Sequence, residues 1–327
     1  MGVLDIYKRA GNQAVELNPP MAGMDIHITE HGSDWLWAAF SLFAFFAVTH
    51  CIAYAITSYK TNGLKKVLLA IPIFINVVMS VAYFTYASNL GYGMQVAEFK
   101  HVSTDQGLYT RQIFYAKFIG WFLSWPFVLT LFGIITHTTL ADDQADLIKR
   151  ALEVISSIFV RFIATEVYVL GLLIGILIHS TYKWGYFTFA VVAQLFTMYL
   201  ICVDLHRSFR SANYSLPGNL LIIFEIVVWI LYPVCWGLSE GGNVIQPDSE
   251  AVFYGILDLI TFGILPIILT WLAIAQVDEQ YFAKIWAFYV NGAESDPLNE
   301  KVGTTPRHSG DTAVPPSGVP EEATTEV

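Results

Sequence analysis

The stretch YGILDLITFGILP, Tyr254 to Pro266, sets one carboxylate, Asp258, in an otherwise apolar run. An ionisable side chain at membrane depth is costly unless it is paired or faces a bundle interior. The rest of the chain says whether Asp258 is at such a depth. Of its 327 residues, 55% are hydrophobic, 15% aromatic and only 13% charged. A soluble domain carries about 25% charge. Mean hydropathy is +0.54. This composition defines an integral membrane protein. The net charge of −10 says little about a partner, because acids outnumber Lys301 and Arg307 from Gly292 onward.

A helix needs about 20 apolar residues to span a bilayer. Seven segments qualify, at 35–58, 67–88, 111–136, 157–180, 184–205, 217–238 and 250–275. The expected fold is therefore an all-α seven-helix transmembrane bundle over 34–276. Lys60, Lys65, Lys66, Lys149, Arg150, Arg207 and Arg210 fall in one set of connections. Lys8, Arg9, Lys100, Lys183 and Arg111, a residue bordering the third span, fall in the other. The richer set marks the cytoplasm, so the N-terminus is expected outside and the C-terminus in the cytoplasm.

Outside the spans, residues 1–33 read as an extracellular arm. They are polar and lack an apolar core with a cleavage site, so no signal peptide is expected. Residues 89–110 read as an external hairpin. Residues 141–156 read as a cytoplasmic helical extension with Asp146 and Arg150 four apart. Residues 277–290 read as an interfacial helix, and 291–327 as a disordered tail rich in Pro, Ser, Thr and Glu. Cys51, Cys202 and Cys235 are odd in number and lack metal spacing, so they read as buried free thiols.

Within the spans the ionisable residues are Lys117 in the third, Glu166 in the fourth, Glu225 in the sixth and Asp258 in the seventh. Lys117 and Asp258 both lie in the outer halves of their helices and are the natural ion pair, since two orphans cost more than a pair. Glu166 and Glu225 read as neutral buried carboxylates that pack by hydrogen bonds. Arg161 lies near a span end and can snorkel. Trp229, Tyr232 and Trp236, around Pro233, share one helix face. Trp121 and Trp125 flank Pro126 likewise. These rings read either as core or as walls for a flat apolar ligand.

Seven spans, the WxxYPxxW stretch of Trp229 to Trp236, the following GLSEGG and the Leu257-Asp258 pair resemble the microbial (type I) rhodopsins, the fungal members most closely. The likeness covers residues 30 to 276. The family's retinal-binding lysine stands four residues after its buried aspartate, which implies Phe262 at that position. No lysine lies between Lys183 and Lys284 to replace it. The resemblance places the proton acceptor at Gly120, the proton donor at Leu131 and the family's third-helix arginine at Lys117. It matches Glu166 to the fourth-helix carboxylate and Glu240 and Glu250 to the external carboxylates. The cation at 262 and the carboxylate at 120 are thus absent together, leaving the charge sum unchanged. This pattern is similar to the lysine-less opsin-related branch, which includes heat-shock-induced plasma-membrane proteins.

The resemblance implies no covalent retinal, no light-driven pumping, and a stress-response role at the plasma membrane, exerted on another membrane protein such as a proton pump. Two other readings stay open. One is a receptor or carrier for an apolar ligand, retinoids included, held without a bond among Trp121, Trp229, Tyr232, Trp236 and Phe262. The other is passive proton or ion transport. The lipid bilayer is the expected partner, homo-oligomers are compatible with the sequence, and nucleic acid is not expected. No enzyme is expected: HExxH, P-loop and dinucleotide motifs are missing, and neither a hydrolase-type serine motif nor a metal site is read.

Overall fold

The computed structural model describes residues 12–57, 59–138, 147–211 and 215–276. Seven helices are long and apolar enough to cross a membrane: Glu30–Ile56, Lys65–Ala87, Ala116–Thr136, Ile155–Ile176, Lys183–Arg210, Gly218–Gly241 and Pro247–Ile274. They fall where the apolar runs predict them. The third begins five residues late, because residues 110–114 form a strand instead. The expected interfacial helix at 277–290 and the tail at 291–327 lie outside the described residues, as does the 141–146 part of the cytoplasmic extension. From Leu147 that extension is helical.

The bundle is apolar inside and out. Phe45, Val48, Ile52, Phe189, Val192 and Phe196 are exposed to what a bilayer would cover. With apolar groups on both faces, hydrophobic burial does not drive the helices together, and close packing at small residues matters instead. A Cβ on Gly120 would stand 2.8 Å from Ala82 Cβ, and one on Gly171 3.0 Å from Ala190 Cβ. Several hydroxyl and amide side chains inside the spans donate to the backbone of their own helix, as suits membrane depth. Ser41 donates to the Trp37 carbonyl at 2.8 Å, Asn76 to Pro72 at 2.7 Å and Thr130 to Pro126 at 2.8 Å. The last two lie at prolines within helices.

The outer end, as the Lys and Arg asymmetry defines it, carries an antiparallel hairpin. Strand β1 (Tyr92–Val96) pairs with β2 (Thr110–Phe114), with Met94 opposite Gln112. The N-terminal arm runs over it. Ile26 bridges to Arg111, and Ile28 N–H donates to Gln112 Oε1 at 2.9 Å. Thr29 caps the first span by accepting the His31 N–H, and its own N–H donates to Asp248 at 2.8 Å. That bond ties the start of the first span to the start of the seventh.

Four side chains depart from expectation. Arg161 is buried and ion-paired with Asp204 of the fifth span, so it does not snorkel. Of the three thiols, only Cys235 is buried; Cys51 is exposed and Cys202 intermediate. Arg111 is no border residue of a span but a buried member of β2.

Candidate functional site

Asp258 ends the helix Pro247–Asp258, and a π-helical turn, Leu259–Ile264, follows at once. The carboxylate is fully buried. Its Oδ1 accepts from Tyr232 Oη at 2.7 Å and from Trp121 Nε1 at 2.9 Å; its Oδ2 accepts from Tyr83 Oη at 2.7 Å. Three neutral donors, from the second, third and sixth spans, therefore surround it. The expected ion pair with Lys117 is not formed. Lys117 stands four residues before Trp121, one helical turn nearer the outer end, or about 6 Å along the axis. From there its ammonium reaches outward instead.

What Lys117 reaches is a second, separate cluster. Its Nζ lies 2.5 Å from Glu240 Oε1 and 2.5 Å from Glu250 Oε1. Arg111 Nη2 lies 2.6 Å from Glu250 Oε2, and its Nη1 donates to Asn243 Oδ1 and to the Ile245 carbonyl, both at 2.8 Å. Glu240 also accepts from Ser239 Oγ and from Tyr254 Oη. The ammonium rests 4.1 Å from the centre of the Tyr254 ring, a favourable cation–π position. All four charged side chains are buried, two cations against two carboxylates. Such a cluster holds only if every charge keeps its partner. Glu240 and Glu250 are thus at the outer end, as expected, but buried rather than facing water. Arg111 joins the cluster unexpectedly, since the sequence marks it only as a residue bordering a span. The signal was there in YTRQIFYAK, with Arg111 and Lys117 six apart, opposite two glutamates that flank the Gly241-Gly242 turn.

The aromatic residues pack on one another. Trp121 meets Tyr232 edge-on at 5.3 Å between ring centres, and Trp125 meets both Trp229 at 5.2 Å and Phe262 at 5.3 Å. Trp236 belongs to a different group, stacked on Phe187 at 4.8 Å and beside Trp184. Phe262 is fully buried in its π-helical turn, and Leu131 is fully buried as well. At Gly120 the second and third spans approach through Ala82, leaving no room for a side chain. Glu166 and Glu225 are buried with both carboxyl oxygens unpartnered, so the expected packing hydrogen bonds are not made.

A hydrolase-like G-x-S-x-G spacing, which the sequence reading did not credit, does occur at Gly237–Gly241. It forms a π-helical turn at the end of the sixth span, and Ser239 Oγ donates to the Cys235 carbonyl at 2.7 Å. A strand-to-helix turn that lifts the serine out is what the nucleophile elbow requires, and it is not what stands here.

Seven spans, a buried aspartate in the last, and a charge cluster at the outer end define a rhodopsin-type membrane protein. The chain belongs to the bacteriorhodopsin-like protein family, whose pattern matches residues 33–276. It is 38% identical over 315 residues to the 30 kDa heat shock protein of Saccharomyces cerevisiae, covering 93% of this chain and 92% of that one. It is 33% identical to the opsin-like protein carO of Fusarium fujikuroi, covering 85% and 89%. Among solved structures, a light-driven proton pump from Leptosphaeria maculans superposes with a TM-score of 0.61 at 21% identity, over 76% of this chain and 96% of that one. Halorhodopsin, a light-driven chloride pump, gives 0.61 at 18%, over 75% and 96%. At these identities the two structures speak for the fold alone.

Proposed function

We propose that this protein is a non-photochemical member of its family, which forms no retinal Schiff base and drives no light-powered pump. The observation that carries this reading is Phe262, a fully buried phenyl ring at the position the resemblance gives to the retinal lysine, packed on Trp125. A phenyl ring cannot condense with an aldehyde, so the residues present do not fit covalent retinal. Two further features support the reading. Gly120 supplies no carboxylate to receive a proton, and Leu131 supplies none to return one. In place of photochemistry we assign the protein a stress-response role in the plasma membrane, exerted through contact with another membrane protein. The similarity to a relative named as a heat shock protein supports that assignment.

The ring contacts weigh against a retinoid carrier, since Trp121, Tyr232, Trp125, Trp229 and Phe262 touch one another where such a ligand would lie. The deciding test is the absorption spectrum of the purified protein with and without all-trans retinal. The expected result is no new visible band. A red-shifted band bleached by hydroxylamine would overturn the reading. A modest shift insensitive to hydroxylamine would establish a non-covalent ligand instead. The stress role has its own test. Deleting the gene should lower survival after heat shock, and unchanged survival would remove that part.

A further inference from the structure

Beneath the hairpin lies a small cavity of about 10 Å³, lined by Gln95, Arg111, Ile113, Ile176, Lys183 and Glu240 among others. That is about the space one water molecule needs, provided that two to four polar groups face it. Three of the lining residues, Arg111, Lys183 and Glu240, are charged and buried. Arg111 Nε, a donor, and Gln95 Oε1, an acceptor, are buried with no hydrogen-bond partner among the described residues. Native structures rarely leave such groups unpaired. Glu240 links this cavity directly to Lys117 and the buried charge cluster.

Lys183 is one of the charged walls of the cavity. Its Nζ donates to the Gly241 carbonyl at 2.5 Å and lies 2.8 Å from Glu98 Oε2, just beyond β1. The same ammonium sits 5.4 Å from the centre of the Phe99 ring and 5.6 Å from that of Trp184. Asn243 adds a hydrogen bond to the Phe99 carbonyl at 2.9 Å, and Gln95 Nε2 one to the Leu177 carbonyl at 3.1 Å. Residues 95–99 are therefore fastened to the outer ends of the bundle by Lys183, Asn243 and Gln95, and of these only Lys183 also lines the cavity with a charge.

We propose that this cavity is an internal water site, bridging Gln95 and Arg111 to Glu240, and that the hairpin above it is a latch, with Lys183 as its catch, controlling water entry to the buried charge cluster. Releasing the catch frees Glu98 and the Gly241 carbonyl together, and water then reaches Glu240 and Lys117 from the outer side.

The test places a reporter thiol in the cavity wall by Ile113→Cys and measures its labelling in membranes by a charged, impermeant maleimide. The same protein without the reporter serves as background, and Val96→Cys, at the exposed rim of the same cavity, gives the unhindered rate. With the latch intact, Cys at 113 should react far more slowly than Cys at 96. Lys183→Met should raise its rate by about tenfold or more, as expected when local opening becomes easier. Glu98→Gln, a milder change near the surface, should raise it in the same direction, and Lys183→Arg should keep it slow. Unchanged rates in both Lys183→Met and Glu98→Gln would overturn the latch, as would a reporter that reacts at the Val96→Cys rate from the start. An experimental density map has its own say on the water. A peak between Gln95 and Arg111 is expected, and a direct contact between those two side chains would exclude it.

Discussion

Lys117 and Asp258 stand one turn apart in depth and answer to different partners, so their losses should differ in kind. Lys117→Met leaves Glu250 with Arg111 alone and Glu240 with no cation. Removing one partner of a buried ion cluster costs about 3–5 kcal/mol, and the melting temperature in detergent should fall accordingly. Adding Glu240→Gln should recover most of that loss. Adding Asp258→Asn should not, because residues with no shared partner behave additively. A recovery by Asp258→Asn would instead restore the ion pair that the sequence suggests. Asp258→Asn alone turns an acceptor of three bonds into a group that must also donate. It should cost about 1–3 kcal/mol, the range for a buried group left unsatisfied. Phe262→Lys gives the sharpest single-residue test. The caged Asp258 supplies a carboxylate four residues away, but Trp121 still meets Tyr232 and Trp125 still meets Trp229 where retinal would lie, so this variant too should show no hydroxylamine-sensitive visible band with retinal, and the appearance of one would show that those rings can part for the ligand.

Elements explain what single residues cannot. The second and third spans touch at Gly120, where a Cβ would lie 2.8 Å from that of Ala82. Gly120→Ala should therefore destabilise by about 1–3 kcal/mol, as overpacking does, and Ala82→Gly in the same chain should relieve it in thermal melts. The contact was illegible in the sequence, where Gly120 reads only as a missing carboxylate. The same holds for the π-helical turn at Leu259–Ile264, since nothing in the spacing LITFGI separates it from an α-helix. Strand β2 reads as the start of a span because it is short and its last residues, Ile113 and Phe114, lead into the apolar helix that follows. The hairpin also has a pH dependence of its own. Partial burial raises the Asp25 carboxyl, but hydrogen bonds from the backbone N–H groups of Gln106 and Leu108, the Thr104 side chain and the Tyr109 backbone outweigh it and hold the group below its ordinary value. A carboxyl lowered in the folded state stabilises above its unfolded pKa, and that contribution is lost as pH falls through the folded value. The protection of the Gln106 and Leu108 amides, measured as exchange relative to the intrinsic rate at each pH, should therefore be full at neutral pH and fall as pH drops below the ordinary carboxylate range. Asp25→Asn should show low protection at both pH values.

At the scale of the whole molecule, the seven spans were legible because bilayer thickness imposes a length on each, and the aromatic and acidic stretch from Trp229 to Asp258 carried the family. Charge pairing was not legible. Depth along seven helices can be read from position, but which side chains meet across the bundle depends on rotation and on the hairpin, and neither leaves a periodic trace. The transport consequence is collective. Membrane vesicles holding the protein and supplied with retinal should show no light-dependent change in internal pH, read with a pH-sensitive dye. A steady light-driven shift would mean that groups other than those at 120, 131 and 262 carry protons. The close approach at Gly120 also constrains history. A chain that regained a lysine at 262 would still need a carboxylate at 120, and none can enter there until residue 82 has first become smaller. Each change alone is a loss or of no use, so the order of steps matters. Tight packing between two helices then works as a ratchet, keeping such a lineage from drifting back to photochemistry even where the aspartate and the aromatic walls have been kept.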